Sequence, residues 1–155
     1  MQKTSIAGLI AAGGFTAAVA AILTWRFYGS MTTIPVTVSV TLWVLAFVCV
    51  VLAWRVRDRK EDGGIGQDRS QLSPVTAAQF LVVGKAAAWT GAIIGGAYVG
   101  MATYILPRAD DLIAASDDLP GVLASALGGI AASVAGVYLE RHCETPPPAE
   151  GELAG

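Results

Sequence analysis

The chain alternates between long apolar runs and short polar segments, and four of the runs are long enough to be membrane helices. They cover residues 5–25, 35–54, 74–106 and 121–139. A helix needs about 20 apolar residues to cross the hydrocarbon core of a bilayer. Pro35–Thr41 alternates with period two, but a single lipid-exposed strand would leave its backbone groups unpaired. The sequence therefore predicts an all-α, integral membrane four-helix bundle.

The first run ends on Trp25-Arg26-Phe27-Tyr28, a cluster typical of the membrane interface. A cleaved signal peptide is the alternative, because Ala18-Val19-Ala20 resembles a small-residue cleavage site. The apolar run continues to Leu23, which favours a full span over a signal core.

The third run is longer than a bilayer requires. Residues 74–106 would form a helix of roughly 50 Å, against a hydrocarbon core of about 30 Å. We therefore expect an interfacial start, capped by Ser73, with Lys85 near the edge of the hydrocarbon. For the last helix, Asp118 or Ser116 is the predicted cap, and Pro120 is expected in the first turn.

The polar segments predict domain organisation and orientation. Residues 1–144 form the predicted transmembrane domain with a loop at 55–72, and the Pro-rich acidic segment 145–155 is a predicted disordered tail. The N-terminus, this loop and the segment from Glu140 to the C-terminus hold seven Lys and Arg residues, whereas the other two connections hold two. Because positive charge is enriched on the cytoplasmic side, both termini and the loop are predicted to be cytoplasmic.

Composition agrees with a membrane protein. Charged residues make up 14% of the 155-residue chain, whereas soluble domains carry about a quarter. The net charge of −2 is too small to indicate a nucleic-acid partner. The predicted partners are the lipid bilayer and either further copies of the chain or another membrane protein.

Small residues recur at helical spacing in the third and fourth runs. Such residues let helix backbones approach closely, which favours helix association in lipid. The second run has no glycine and is bulky, so we expect runs one, three and four to pack tightly and run two to be peripheral. The glycines with a predicted packing role are Gly91, Gly95, Gly96, Gly100, Gly128 and Gly136.

Lys85 and Glu140 are predicted to lie at the same depth at the ends of the third and fourth helices. Charged residues near hydrocarbon usually pair or extend to the interface. A structural ion pair between them is the favoured interpretation. The alternative is that Lys85 lines a path for an ion or substrate.

We find no catalytic or cofactor motif, and the chain has a single histidine. His142, Cys143, Glu140 and Glu144 are potential metal ligands, but no second Cys/His pair completes a site. We therefore predict no enzyme activity, no cofactor and no metal.

Several segments together resemble a family of small four-span actinobacterial membrane proteins known only as a domain of unknown function. The most specific are Leu72–Ala78 leading to Gly84-Lys85-Ala86, and the glycine-rich Gly91–Gly100. The resemblance implies four spans, a plasma-membrane location and genes that often lie beside folate-biosynthesis genes. It implies no catalytic residues.

The sequence thus favours a structural or accessory helix-bundle subunit of the membrane. The alternative function is a small transporter or channel component in which Lys85 lines a polar path.

Overall fold

The computed structural model describes residues 3–31, 34–62 and 74–143, and these residues form four long helices. Two short 3-10 turns, Tyr28–Ser30 and Leu106–Arg108, follow the first and third helices. No strand occurs in the described ranges. The helices are α1 (Ile6–Phe27), α2 (Thr37–Asp62), α3 (Pro74–Ile105) and α4 (Ile113–Cys143).

All four helices are long and apolar enough to cross a membrane, judged by length and composition. Their most apolar windows have mean hydropathies between 1.4 and 2.3. The prediction of an all-α four-helix bundle with four candidate spans is therefore confirmed.

The helices lie in the spatial order α1, α3, α4, α2. The closest packing is between α3 and α4, while α1 packs against α3 and α2 packs against α4, with a smaller contact to α3. Among the described helices, α1 approaches α3 alone. It also has the smallest buried share of the four helices.

The second helix, α2, lies at one edge of the bundle as expected, although a larger share of it is buried than of α1 at the other edge. The buried positions of α2 recur at alternating spacings of four and three residues, which is the spacing of a coiled-coil seam. Most of the side chains along this seam are small, so α2 packs closely without glycine. The buried residues of α2 are Ser39, Leu42, Ala46, Cys49, Ala53 and Val56.

Two helix boundaries differ from the prediction. Instead of ending near Trp54, α2 continues to Asp62, through the first part of the predicted loop. Similarly, α4 begins at Ile113, so Pro120 lies inside it rather than in its first turn. Neither Asp118 nor Ser116 is the cap, because both lie inside α4. The carboxylate of Asp118 instead accepts hydrogen bonds from the α1–α2 connection.

Three predictions lie outside the described residues. They concern the Ser73 cap, the remainder of the loop at 63–72 and the tail at 145–155.

The bundle has two ends with different contents. We call the end that holds Thr4, Lys85 and Glu140 the terminal end, because α1 begins there and α4 ends there. The other end, with Tyr28 and Asp118, is the hairpin end, since it holds the α1–α2 and α3–α4 connections. Apolar clusters centred on Leu139 and on Ile105 pack near the terminal and hairpin ends, respectively.

Candidate functional site

The contact between α3 and α4 is made by backbone against backbone. A Cβ added to Gly91 would lie 2.5 Å from Ser133 N and 2.6 Å from Gly129 O. A Cβ on Gly95 would lie 3.0 Å from the Gly129 Cα, and one on Gly136 would lie 2.5 Å from Ala88 N. A larger residue at these positions would therefore push the two helices apart.

The contact between α1 and α3 uses the other glycine pair of α3. A Cβ on Gly96 would lie 2.6 Å from Thr16 Oγ1, and one on Gly100 would lie 3.0 Å from the Ala17 Cα. Five residues along a helix turn the side-chain direction by about 140°. The pairs Gly91/Gly95 and Gly96/Gly100 therefore place α3 between α4 and α1.

Gly128 and Gly136 face different neighbours. A Cβ on Gly128 would lie 3.1 Å from the indole of Trp43 on α2, whereas Gly136 meets α3. The indole Nε1 of Trp43 donates a hydrogen bond to Ala124 O at 3.1 Å. Eight residues along a helix rotate by about 80° beyond two full turns, which separates the two glycines onto different faces.

An apolar groove of about 560 Å³ lies between α1 and α4. It exists because the two helices flank α3 without packing on each other. Glycines of α3 form its floor, with Ile10 and Gly14 on the α1 side and Ile130 and Val134 on the α4 side.

A polar pocket of about 500 Å³ adjoins this groove at the terminal end. Lys3 and Thr4 line it from the segment before α1, and Glu140 lines it from α4. Three residues, Ile6, Val137 and Arg141, line both the groove and the pocket. The two spaces are therefore adjacent.

Glu140 is the most deeply buried charged side chain of this end, at 3% exposure. Its Oε1 accepts a hydrogen bond from Thr4 N at 2.8 Å. Its Oε2 and the hydroxyl of Thr4 are both buried, and neither has a hydrogen-bond partner in the described part of the chain. Two polar atoms of residues that line the terminal-end pocket therefore have no partner in the described part of the chain.

Lys85 lies beside this region and is half-buried. A Cβ on the preceding Gly84 would lie 3.0 Å from Glu140 N, so the two predicted partners share one level of the bundle. The Lys85–Glu140 ion pair itself stays a prediction. Lys85 lines neither the groove nor the terminal-end pocket.

At the hairpin end, the buried carboxylate is that of Asp118, at 9% exposure. Tyr28 OH donates a hydrogen bond to its Oδ2 at 3.0 Å, and Ile34 N donates to its Oδ1 at 3.3 Å. The Arg108 guanidinium lies 4.1 Å from the centre of the Tyr104 ring and 5.2 Å from that of Trp25. These contacts tie the α1–α2 connection to α4 and the α3–α4 connection to α1.

The predicted potential metal ligands near the end of α4 have other surroundings. His142 Nδ1 lies 2.8 Å from Tyr138 O, and Cys143 is buried. Within the described ranges, no three His, Cys, Asp or Glu residues are grouped so that they could hold a metal ion. Glu144 lies outside those ranges.

Residues 9–147 match the family model DUF3180, described as a protein of unknown function. The chain belongs to the DUF3180 family. No curated protein and no solved structure matches it. The match covers nearly all of the four helices and includes Glu140 and Asp118, whereas Lys3 and Thr4 precede it.

Sequence reasoning missed two partners of the buried carboxylates in this DUF3180 member. Thr4 and Glu140 are 136 positions apart, and Tyr28 and Asp118 are 90 apart. The interfacial cluster at Trp25–Tyr28 and the acidic Asp117-Asp118 pair were visible signals, but no local pattern links them.

Proposed function

We propose that this DUF3180 protein is a non-enzymatic structural or accessory subunit of the plasma membrane, acting as an oligomer or with another membrane protein. The Lys and Arg distribution supports cytoplasmic termini. The observation that carries the proposal is the backbone contact between α3 and α4, where a Cβ on Gly91 would lie 2.5 Å from Ser133 N. Such packing makes a firm pair of helices with little room for substrate between them.

The outer surfaces support the same role. Large apolar side chains face outward along α1 and α2, including Phe15, Ile22, Phe47 and Trp54. In a membrane, these faces contact either lipid or the helices of a partner. A subunit needs such faces, whereas a soluble enzyme would bury them.

The transporter alternative receives less support. A path through the bundle needs polar groups near the middle of the membrane. A second polar pocket, lined by Tyr28, Tyr104 and Asp118 among others, lies at the hairpin end, opposite the terminal-end pocket. The α3–α4 glycine contact lies between these two levels. If Lys85→Ala abolished a measurable ion or solute flux in proteoliposomes while the bundle stayed folded, the transporter would replace our proposal.

One matched pair of substitutions tests the packing. Gly91→Leu should lower the melting temperature in detergent strongly, because it forces α3 and α4 apart. Gly14→Leu is the control, since a Cβ on Gly14 would meet nothing within 4 Å. Equal melting temperatures for the two variants would contradict a bundle held by close backbone contact.

The subunit role is tested by cross-linking in native membranes. A photo-reactive phenylalanine analogue at Phe47 samples the face of α2, and one at Phe15 samples the face of α1. A protein adduct of defined mass at either position, either a second copy or another membrane protein, supports the role. Only lipid adducts at both positions would contradict it.

The resemblance to small actinobacterial membrane proteins supports a plasma-membrane location. The actinobacterial origin and the neighbouring folate-biosynthesis genes remain predictions. The subunit proposal does not depend on either of them.

A further inference from the structure

We propose that the apolar groove and the terminal-end pocket together bind one phospholipid with a primary-amine headgroup, phosphatidylethanolamine. An acyl chain lies in the groove, and the headgroup lies in the pocket. This site goes beyond the subunit role and does not depend on it, because it is built within a single chain.

The two spaces join at the level where a lipid changes from chain to headgroup. The groove lining is apolar along α1 from Ile6 to Ala17, whereas the pocket holds Lys3, Thr4 and Glu140. Ile6, Val137 and Arg141 line both spaces, so a molecule can occupy them without a break.

The length of the groove fits one leaflet. Ile6 to Ala17 spans about 17 Å along a helix at 1.5 Å per residue. Half of the hydrocarbon core of a bilayer is about 15 Å. A lipid chain entering from the terminal end would therefore fill the groove to about the middle of the membrane.

The buried polar atoms of the pocket need hydrogen-bond donors. Glu140 is 3% exposed, and its Oε2 has no hydrogen-bond partner among the described residues. The hydroxyl oxygen of Thr4 is also buried and has no hydrogen-bond partner among the described residues. Leaving such groups unsatisfied costs about 1–3 kcal/mol each, and more for a charged group. A primary ammonium carries a positive charge and three N–H donors, so it can donate hydrogen bonds to Glu140 Oε2 and to the Thr4 hydroxyl.

Glu140 lines the pocket, so an ammonium that enters it lies beside the carboxylate. One carboxylate oxygen keeps the hydrogen bond from Thr4 N, and the other is the acceptor for the ammonium.

The negatively charged phosphate of the headgroup also has oppositely charged side chains near it. Arg141 and Lys3 line the pocket beside Glu140. Arginine binds phosphate through paired N–H donors, and lysine binds it as a point charge. The lining thus offers positive groups to the phosphate and a negative group to the amine.

This pairing selects among common headgroups. A choline headgroup carries no N–H and cannot donate to Glu140 Oε2 or to the Thr4 hydroxyl. A glycerol headgroup brings hydroxyl donors but no positive charge to the buried carboxylate. Phosphatidylethanolamine supplies both.

The test is native mass spectrometry of the full chain, released from detergent with equal amounts of three lipids that share the same acyl chains. The lipids carry ethanolamine, choline or glycerol headgroups. We expect the wild type to retain the ethanolamine lipid about tenfold better than the choline lipid, since hydrogen bonds to a charged group are the strong ones. Equal retention, or preference for the glycerol lipid, would overturn the proposal without touching the subunit role.

Variants assign the preference to the site. Glu140→Gln should reduce the ethanolamine preference to about twofold or less, because the amide removes the charge-assisted contact. Arg141→Gln should reduce the retention of the ethanolamine lipid and of the choline lipid equally, since both carry phosphate. Gly14→Leu should weaken every lipid by filling the groove, whereas Ala18→Leu, at an exposed position of α1 outside the groove lining, should not.

A preference that persists in Glu140→Gln would overturn the proposal. If that variant does not fold, the wild-type comparison of the three lipids decides alone. A second wild-type measurement is the melting temperature in detergent with each lipid added, where the ethanolamine lipid should raise it most. No difference among the lipids in either measurement would contradict the site.

Discussion

Two buried carboxylates lie near opposite ends of the apolar part of α4, and they differ in how fully they are bonded. Asp118 and Glu140 are 22 residues apart, or about 33 Å along the helix. This is close to the thickness of the hydrocarbon core, about 30 Å, so in a bilayer spanned by α4 each carboxylate would lie near one surface.

Each carboxylate ties a segment from the first part of the chain to α4. Asp118 uses both oxygens, with Tyr28 OH and Ile34 N as donors. Glu140 uses one oxygen, with Thr4 N as the donor, although it is the more deeply buried. A fully bonded carboxylate is sufficient as a structural tie, whereas a half-bonded one leaves an acceptor for a ligand.

The largest effect is expected at the fully bonded carboxylate. Asp118→Ala should lower the free energy of unfolding by about 3 kcal/mol, because two half-buried donors lose their charged acceptor. The measurement is unfolding in a mixed detergent titration. Asp117→Ala, which removes an exposed carboxylate next to it, is the control. If both variants lost the same stability, Asp118 would not be the tie.

An intermediate effect is expected when one donor to Asp118 is removed. Tyr28→Phe should cost about 1 kcal/mol, since it deletes one hydrogen bond and keeps the ring. Tyr104→Phe keeps the ring that Arg108 covers and serves as the matched control. The same unfolding titration measures both. A larger loss for Tyr104→Phe would show that the aromatic cluster, and not the hydrogen bond, holds this end.

A coupling at the terminal end tests the predicted ion pair. Lys85→Ala and Glu140→Ala should lower stability non-additively, with a coupling of about 1 kcal/mol if the two side chains interact. A double-mutant cycle in the same titration measures this coupling. Strict additivity would assign the two residues separate roles.

The smallest effect is expected for Glu140→Gln in the absence of phosphatidylethanolamine. The amide keeps an oxygen for Thr4 N, and loss of a buried charge offsets part of the lost interactions, so the change should stay within about 1 kcal/mol. Unfolding in lipid-free detergent measures it. A loss as large as that of Asp118→Ala would place Glu140 among the structural ties.

The number and type of the helices were predictable because a membrane span has a fixed apolar length. The four apolar runs predicted α1 to α4, even though α2 and α4 extend beyond them. Helix ends depended on tertiary contacts: Asp118 looked like a cap by sequence, but Tyr28 and Ile34 draw its side chain to the α1–α2 connection. A local sequence pattern does not show whether an acidic side chain caps its own helix or accepts hydrogen bonds from a distant segment.

The pairing of the helices was only partly predictable. Glycine spacing identified positions such as Gly91 and Gly96 that now lie at helix crossings. It did not indicate which neighbour each faces, and it gave no signal for α2, which packs mainly through serine, alanine and cysteine. The joined groove and pocket could not be predicted from the sequence, because Thr4 and Glu140 come from opposite ends of the chain.

The most direct test compares the melting temperature in bilayer nanodiscs made with and without phosphatidylethanolamine, at constant chain composition, for three proteins. Binding to the folded state alone raises its stability by mass action. We predict that the ethanolamine lipid raises the melting temperature of the wild type and of Asp118→Asn, but not that of Glu140→Gln. An equal rise in all three proteins, or none in the wild type, would contradict the distinction between the two carboxylates.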